Sequence, residues 1–237
     1  MPGRQAGVGL LVRTELFKIA SSRWQPVALT AVLILHVPPM LWAGQDAAAS
    51  WNGLRSRSGL FTGYAMMAFG ILVVAQEYRH RTAALAFLAV PGRRRITIAQ
   101  YLTVAAVGLV LSATLFAAWL AVGAVRHGGP GMHLDRPADV AAAYGVVAVT
   151  VCAAGAVGVG VGTLLRGSTG ALLALGCCGA FEPLLDATRF RGPVTAPLGV
   201  LAWPTSELET ASLASAAGWG VLALVAGLFA VGRDLAS

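Results

Sequence analysis

The chain has 237 residues, of which 57% are hydrophobic and only 11% charged, with mean hydropathy +0.74 and a formal net charge of +7. A soluble domain carries about 25% charged residues, so this chain lacks the charge to wet an ordinary globular surface. The composition excludes disorder, a long coiled coil and a disulfide-stapled secreted scaffold.

In chain order, residues 1–25 come first and are too polar for hydrocarbon. Leu10, Leu11, Leu16, Phe17 and Ile19 recur there near helical spacing, between Arg13, Glu15, Lys18 and Arg23. The pattern predicts an amphipathic helix lying in the headgroup plane. A basic unstructured leader is the simpler alternative, and the basic region is too long for a signal peptide. Apolar runs of about 20 residues follow, the length that crosses ~30 Å of hydrocarbon at 1.5 Å per residue. They predict spans over 24–42, bent near Pro38-Pro39, then 60–76, 101–125, 140–165, 168–185 and 214–231. Six spans place both termini on one side, and the expected fold class is an all-α integral membrane protein of one transmembrane domain.

Charge sets the orientation. With the N-terminus inside, the inner segments hold eleven basic and three acidic residues, net +8, and the outer segments six basic and seven acidic, net −1. Basic loops stay cytoplasmic, so both termini are expected inside. Trp24 and Tyr101 then fall at the inner interface and Trp42 and Trp119 at the outer one. The same distribution removes nucleic acid as a partner, because the positive charge is spread over loops without interleaved stacking aromatics. Arginine outnumbers lysine sixteen to one, which with the Ala, Gly and Val excess suggests a bacterial genome rich in GC. Cys152, Cys177 and Cys178 read as small buried hydrophobes.

The loop at 76–100 is the most informative segment. Gln76, Glu77, Tyr78, Arg79, His80, Arg81 and Thr82 continue directly from the second span. An apolar-rich stretch follows to residue 90, then Pro91, Gly92, Arg93, Arg94 and Arg95. A charged run, a short amphipathic segment and a Pro-Gly turn make a compact cytoplasmic knob that fits a partner's groove. A loop that only sets topology is the other reading.

E-Y-R-H-R-T followed by V-P-G-R-R-R ahead of an apolar helix resembles the first cytoplasmic loop of ABC-2 type transporter permeases. The resemblance covers some 25 residues and implies that Glu77, Arg79 and Thr82 open a short coupling helix against an ATPase subunit, with Pro91 to Arg95 as its turn. Arg81 departs from the pattern, where glycine is frequent. The resemblance also implies a second permease chain, identical or related, and export driven by nucleotide-binding subunits. By the same likeness, residues 1–25 correspond to the family's elbow helix. The segment 182–212, whose apolar part at 196–203 is too short to cross, corresponds to a partly inserted outer loop, with an ordinary outer loop as the alternative.

The chain cannot supply the energy itself. A P-loop requires G-x-x-x-x-G-K-[ST], and the only lysine, Lys18, follows Phe17. ATP and Mg²⁺ therefore belong to a separate subunit, and no cofactor is expected on this chain. Gly155, Gly158 and Gly162 make a small-residue groove for close helix approach, either within the chain or at a dimer seam. His36 and Glu182 are ionisable groups at membrane depth, hence candidates for a substrate path. His127, His133, Asp135 and Asp139 share an outer loop but match no metal template. No nucleophile with a positioned base suggests hydrolysis. The expected function is that of a permease subunit in a bacterial plasma membrane, exporting a hydrophobic or amphipathic substrate. An ATP-independent carrier or channel is the alternative, and an intramembrane enzyme lacks its polar constellation.

Overall fold

The computed structural model describes residues 7–42, 51–79, 93–127, 136–182, 184, 191–202 and 210–233. Helices account for almost all of them, and among the described residues no strand occurs. They are α1 (Val8–Ser21), α2 (Trp24–Leu35), α3 (Val37–Trp42), α4 (Trp51–Arg79) and α5 (Arg93–His127). Then come α6 (Pro137–Leu165), α7 (Ser168–Phe181), α8 (Thr195–Ala202) and α9 (Thr210–Arg233). Five segments are long and apolar enough to cross a membrane: Trp24–Leu41, Gly53–Arg79, Arg94–Val125, Pro137–Leu165 and Leu213–Gly232. The chain is an all-α protein of the multi-pass membrane class.

The bundle is organised around α6, which packs against α4, α5 and α9. A helix apolar on all sides belongs in a core, and Ala153 to Gly160 is one unbroken buried run. Hydrocarbon offers helices no hydrophobic drive to associate, so close backbone approach has to supply the attraction. Glycine makes that approach possible on two faces of α6. Toward α4, a Cβ on Gly158 would run into the Met67 carbonyl, and one on Gly162 would sit 3.1 Å from the Ile71 Cα. Gly70 of α4 returns the fit, since a Cβ there would sit 2.9 Å from the Gly155 carbonyl oxygen. Toward α9, a Cβ on Gly160 would strike the Ala223 carbonyl, while Gly220 and Gly227 of α9 face Ala153 and Gly160.

Four buried hydroxyls are satisfied inside their own helices, as hydrocarbon favours, while Thr150 of α6 finds no partner among the described residues. Ser58 donates to the Leu54 carbonyl at 2.8 Å, Thr62 to Ser58 at 2.6 Å, Thr103 to Ala99 at 2.8 Å and Thr163 to Val159 at 2.7 Å. Between helices, Tyr144 of α6 donates to the Leu109 carbonyl of α5 at 3.0 Å.

Several expectations change. The second and third spans extend into helices of 29 and 35 residues, about 44 and 52 Å long, so their charged ends run past the ~30 Å hydrocarbon core. Arg55 and Arg57, expected in an outer loop, therefore ride on α4. Arg55 is fully buried, and Arg57 lies 5.2 Å over the Trp119 ring, a cation–π contact. Trp119 is accordingly packed inside the bundle, its ring covered by neighbouring helices. The expected fifth span, 168–185, is cut to α7, whose 14 residues reach about 21 Å. Cys177 and Cys178, expected to be buried, are exposed on α7, and Cys152 is half-buried.

The short helix α8 is buried against α4, α6 and α9. Leu198 and Leu201 lie over Gly63 and Gly59 of α4, where any larger residue would displace them.

Candidate functional site

The C-terminal end of α4, which leads into the 76–100 loop, is held by side chains from the start of the chain. In α1 the usual amphipathic arrangement is turned inside out. Leu10 and Phe17 are exposed, Phe17 at 73%, while Glu15 and Ile19 are buried. Such a helix suits an interface whose outer medium is lipid rather than water.

Burying Glu15 requires compensation, and the chain's single lysine supplies it. Lys18 Nζ donates to Glu15 Oε1 at 2.6 Å, one helical turn away, and to Glu77 Oε1 of α4 at 2.8 Å. Both carboxylates are about nine-tenths buried, whereas the Lys18 side chain is half in solvent. Burial pushes the Glu15 carboxyl up; hydrogen bonding and charge from Lys18 oppose this, and the Glu77 charge adds to it. For Lys18, burial pulls downward, but its bonds to Glu15 and Glu77 outweigh that and leave the ammonium above its ordinary value. A second tie lies beside the first. Gln25 of α2, also buried, donates from Nε2 to Gln76 Oε1 at 3.0 Å. These bonds fasten α1 and α2 to the last turns of α4.

Of the loop residues singled out in the sequence, Glu77 is engaged by Lys18, Tyr78 packs against the core, and Arg79 is exposed on the last turn. His80, Arg81, Thr82, Pro91 and Gly92 lie outside the described residues. Arg93, Arg94 and Arg95 form the first turn of α5, and the Arg94 guanidinium lies 3.0 Å from where Gly232 of α9 would carry a Cβ.

Gly155, Gly158 and Gly162 are occupied inside the chain, facing Val104 of α5 and the backbone of α4. His36 forms the turn between α2 and α3. Its Nδ1 is 2.7 Å from the Val32 carbonyl, and its ring meets Phe61 edge-on at 5.8 Å.

Glu182 is 5% exposed and is turned inward. It accepts from the Val194 N–H at 3.2 Å and the Thr195 N–H at 2.6 Å, capping the start of α8 from twelve residues away. Gly192 is required beside it, because a Cβ there would overlap the Glu182 carboxylate. Trp219 of α9 closes this corner by donating to the Arg191 carbonyl at 2.8 Å.

Among the described residues no group of His, Cys, Asp and Glu is arranged to hold a metal ion; His133 and Asp135 lie outside them. The Glu15–Lys18–Glu77 trio is the feature that sequence reasoning missed. The available signal was a lone lysine three residues after a carboxylate in an apolar-faced helix.

Neither family models nor curated proteins nor solved structures give a match to this chain.

Proposed function

We propose that the chain is the membrane-spanning permease subunit of an ABC-2 type transporter. It works as one of two such subunits in a bacterial plasma membrane and moves a hydrophobic or amphipathic substrate outward. The segment 168–185, of which α7 is the helical part described, completes a sixth crossing, both termini are cytoplasmic, α1 lies along the inner interface and α8 is the partly inserted outer segment. A separate ATPase subunit binds ATP and grips the loop between α4 and α5.

The observation that carries this reading is the Lys18 bridge between Glu77 and Glu15. Glu77 opens the segment that resembles a coupling loop, and it is fastened to a helix lying outside the bundle. A push on the loop therefore reaches α1 and α4 together. Charge supports the orientation, since Lys18, Arg79, Arg94 and Arg95 gather at the end opposite Arg55, Arg57 and Glu182. An ATP-independent carrier would use intramembrane carboxylates to bind coupling ions. The strongest such group, Glu182, is already committed to two backbone N–H donors.

The test is reconstitution of the chain with a candidate ATPase partner that carries a Walker motif. Glu77→Lys and Arg79→Glu are expected to separate ATP hydrolysis from transport while membrane insertion persists. Transport by this chain alone without nucleotide would refute the proposal. So would labelling of the 80–92 loop from the periplasmic face.

A further inference from the structure

Two apolar grooves converge on one polar end of the bundle, beside α2. The first, about 400 Å³, lies between α2 and α4 and is walled by Val27, Ala31, Phe69 and Leu72. Its polar end is made by Gln25, Gln76, Arg79 and Ser168, with Trp24 at its edge. The second, about 520 Å³, runs along α7 past Leu173 to Phe181 and shares Leu72 and Ser168 with the first. Leu72 thus divides two apolar channels that begin at a common polar mouth.

The first groove exists because α2 is poorly packed: of its residues only Gln25 is buried, and Trp24 is 78% exposed. Indole at that level marks the boundary between headgroups and hydrocarbon. Among the described residues the cation at the mouth, Arg79, has no acidic counterpart, and its neighbour Glu77 is bonded to Lys18. The shape asks for two chains and one head, and the charge asks for an anionic head.

We propose that this double groove holds one anionic diacyl phospholipid. Its phosphate rests on Arg79, one acyl chain fills the space between α2 and α4, and the other lies along α7. The lipid supplies the packing that α2 lacks. This requires only that the helices cross a bilayer and does not rest on the transporter reading.

The test uses the purified full chain in phosphatidylcholine nanodiscs without ATPase or nucleotide. Increasing fractions of the phosphatidylcholine are replaced by brominated phosphatidylglycerol or brominated phosphatidylcholine, whose bromines quench tryptophan on contact. The difference between wild type and Trp24→Phe isolates the Trp24 signal. Half-quenching is expected at about a fivefold lower mole fraction of the anionic lipid, the factor one arginine contributes near a charged headgroup. Arg79→Gln removes that preference, Arg79→Lys retains it, and Ala31→Phe, which fills the first groove, weakens quenching by both lipids. Equal quenching by the two lipids in the wild type, or a preference that survives Arg79→Gln, overturns the site. Displacement by millimolar glycerol phosphate overturns the lipid in favour of a soluble anion. Should Arg79→Gln fail to fold, Ala31→Phe decides: quenching unchanged by a blocked groove refutes the proposal.

Discussion

The contact between α6 and α4 and the contact between α2 and α4 use the same partner helix and opposite physics. In the first, backbone meets backbone through Gly70, Gly158 and Gly162, with no room for a methyl group. In the second, a groove of about 400 Å³ separates the helices, and a single amide hydrogen bond between Gln25 and Gln76 joins them at one end. The first contact defines the fold, and the second leaves α2 free to change its neighbours.

The sharpest way to break the contrast is to enlarge one glycine in the tight contact and another on an open helix face. Gly158→Leu forces side-chain atoms against the Met67 backbone, which has no rotamer by which to yield. About 3 kcal/mol or more of destabilisation is expected, seen as loss of monodisperse protein in detergent. Gly176→Leu on α7, where nothing lies within 4 Å, is expected to leave the same profile unchanged. Gly63→Ala should fall between them, since the obstruction there is a Leu198 methyl that can swing aside.

Next in size is Glu182→Ala, which leaves the Val194 and Thr195 N–H groups without their acceptor in a buried corner. A loss of about 2–3 kcal/mol is expected in denaturant unfolding, and Glu182→Gln, which keeps one acceptor, should lose less.

Lys18→Met comes third. It leaves two buried carboxylates facing one another, but the lysine is half-exposed, so a discounted loss of about 1–2 kcal/mol at neutral pH is expected. The pH dependence has a definite sign. Glu15 titrates above its ordinary value of 4.5 in the folded chain, so its contribution is full below that value and is lost as pH rises through the folded one. Lys18 is also raised, from 10.5, so its contribution persists through neutrality and is lost only as pH climbs beyond that. Thermal melts from pH 5 to 11 should therefore show wild type weakening at the alkaline end, and Lys18→Met recovering toward acid pH. A wild-type profile that stays flat above pH 10.5 would contradict the bridge.

Smallest of all is Cys178→Ala, an exposed site on α7, where less than about 0.5 kcal/mol is expected in the same melts.

The long spans were legible because a run of twenty apolar residues has few physical alternatives. The glycines of α6 were legible as a groove, but not its occupant, because the complementary Gly70 lies on another helix. The length of α7 was not legible. Its apolar sequence continues to residue 185, and nothing in that run announces that the Glu182 carboxylate accepts from Val194, twelve residues ahead. Nor was the Lys18–Glu77 bond, whose partners stand 59 residues apart in segments assigned to different environments. Local pattern reports which medium a segment prefers, whereas a buried polar pair is specified only by three-dimensional proximity.

That the chain carries a single lysine gives its bridge an unusual experimental property. Apart from the terminal amine, an acylating reagent has one nitrogen to modify, and its access depends on whether that nitrogen is engaged by two carboxylates or released from them. The rate of one chemical reaction, followed by intact mass, thereby becomes a clock for the opening of this junction during any cycle the protein undergoes.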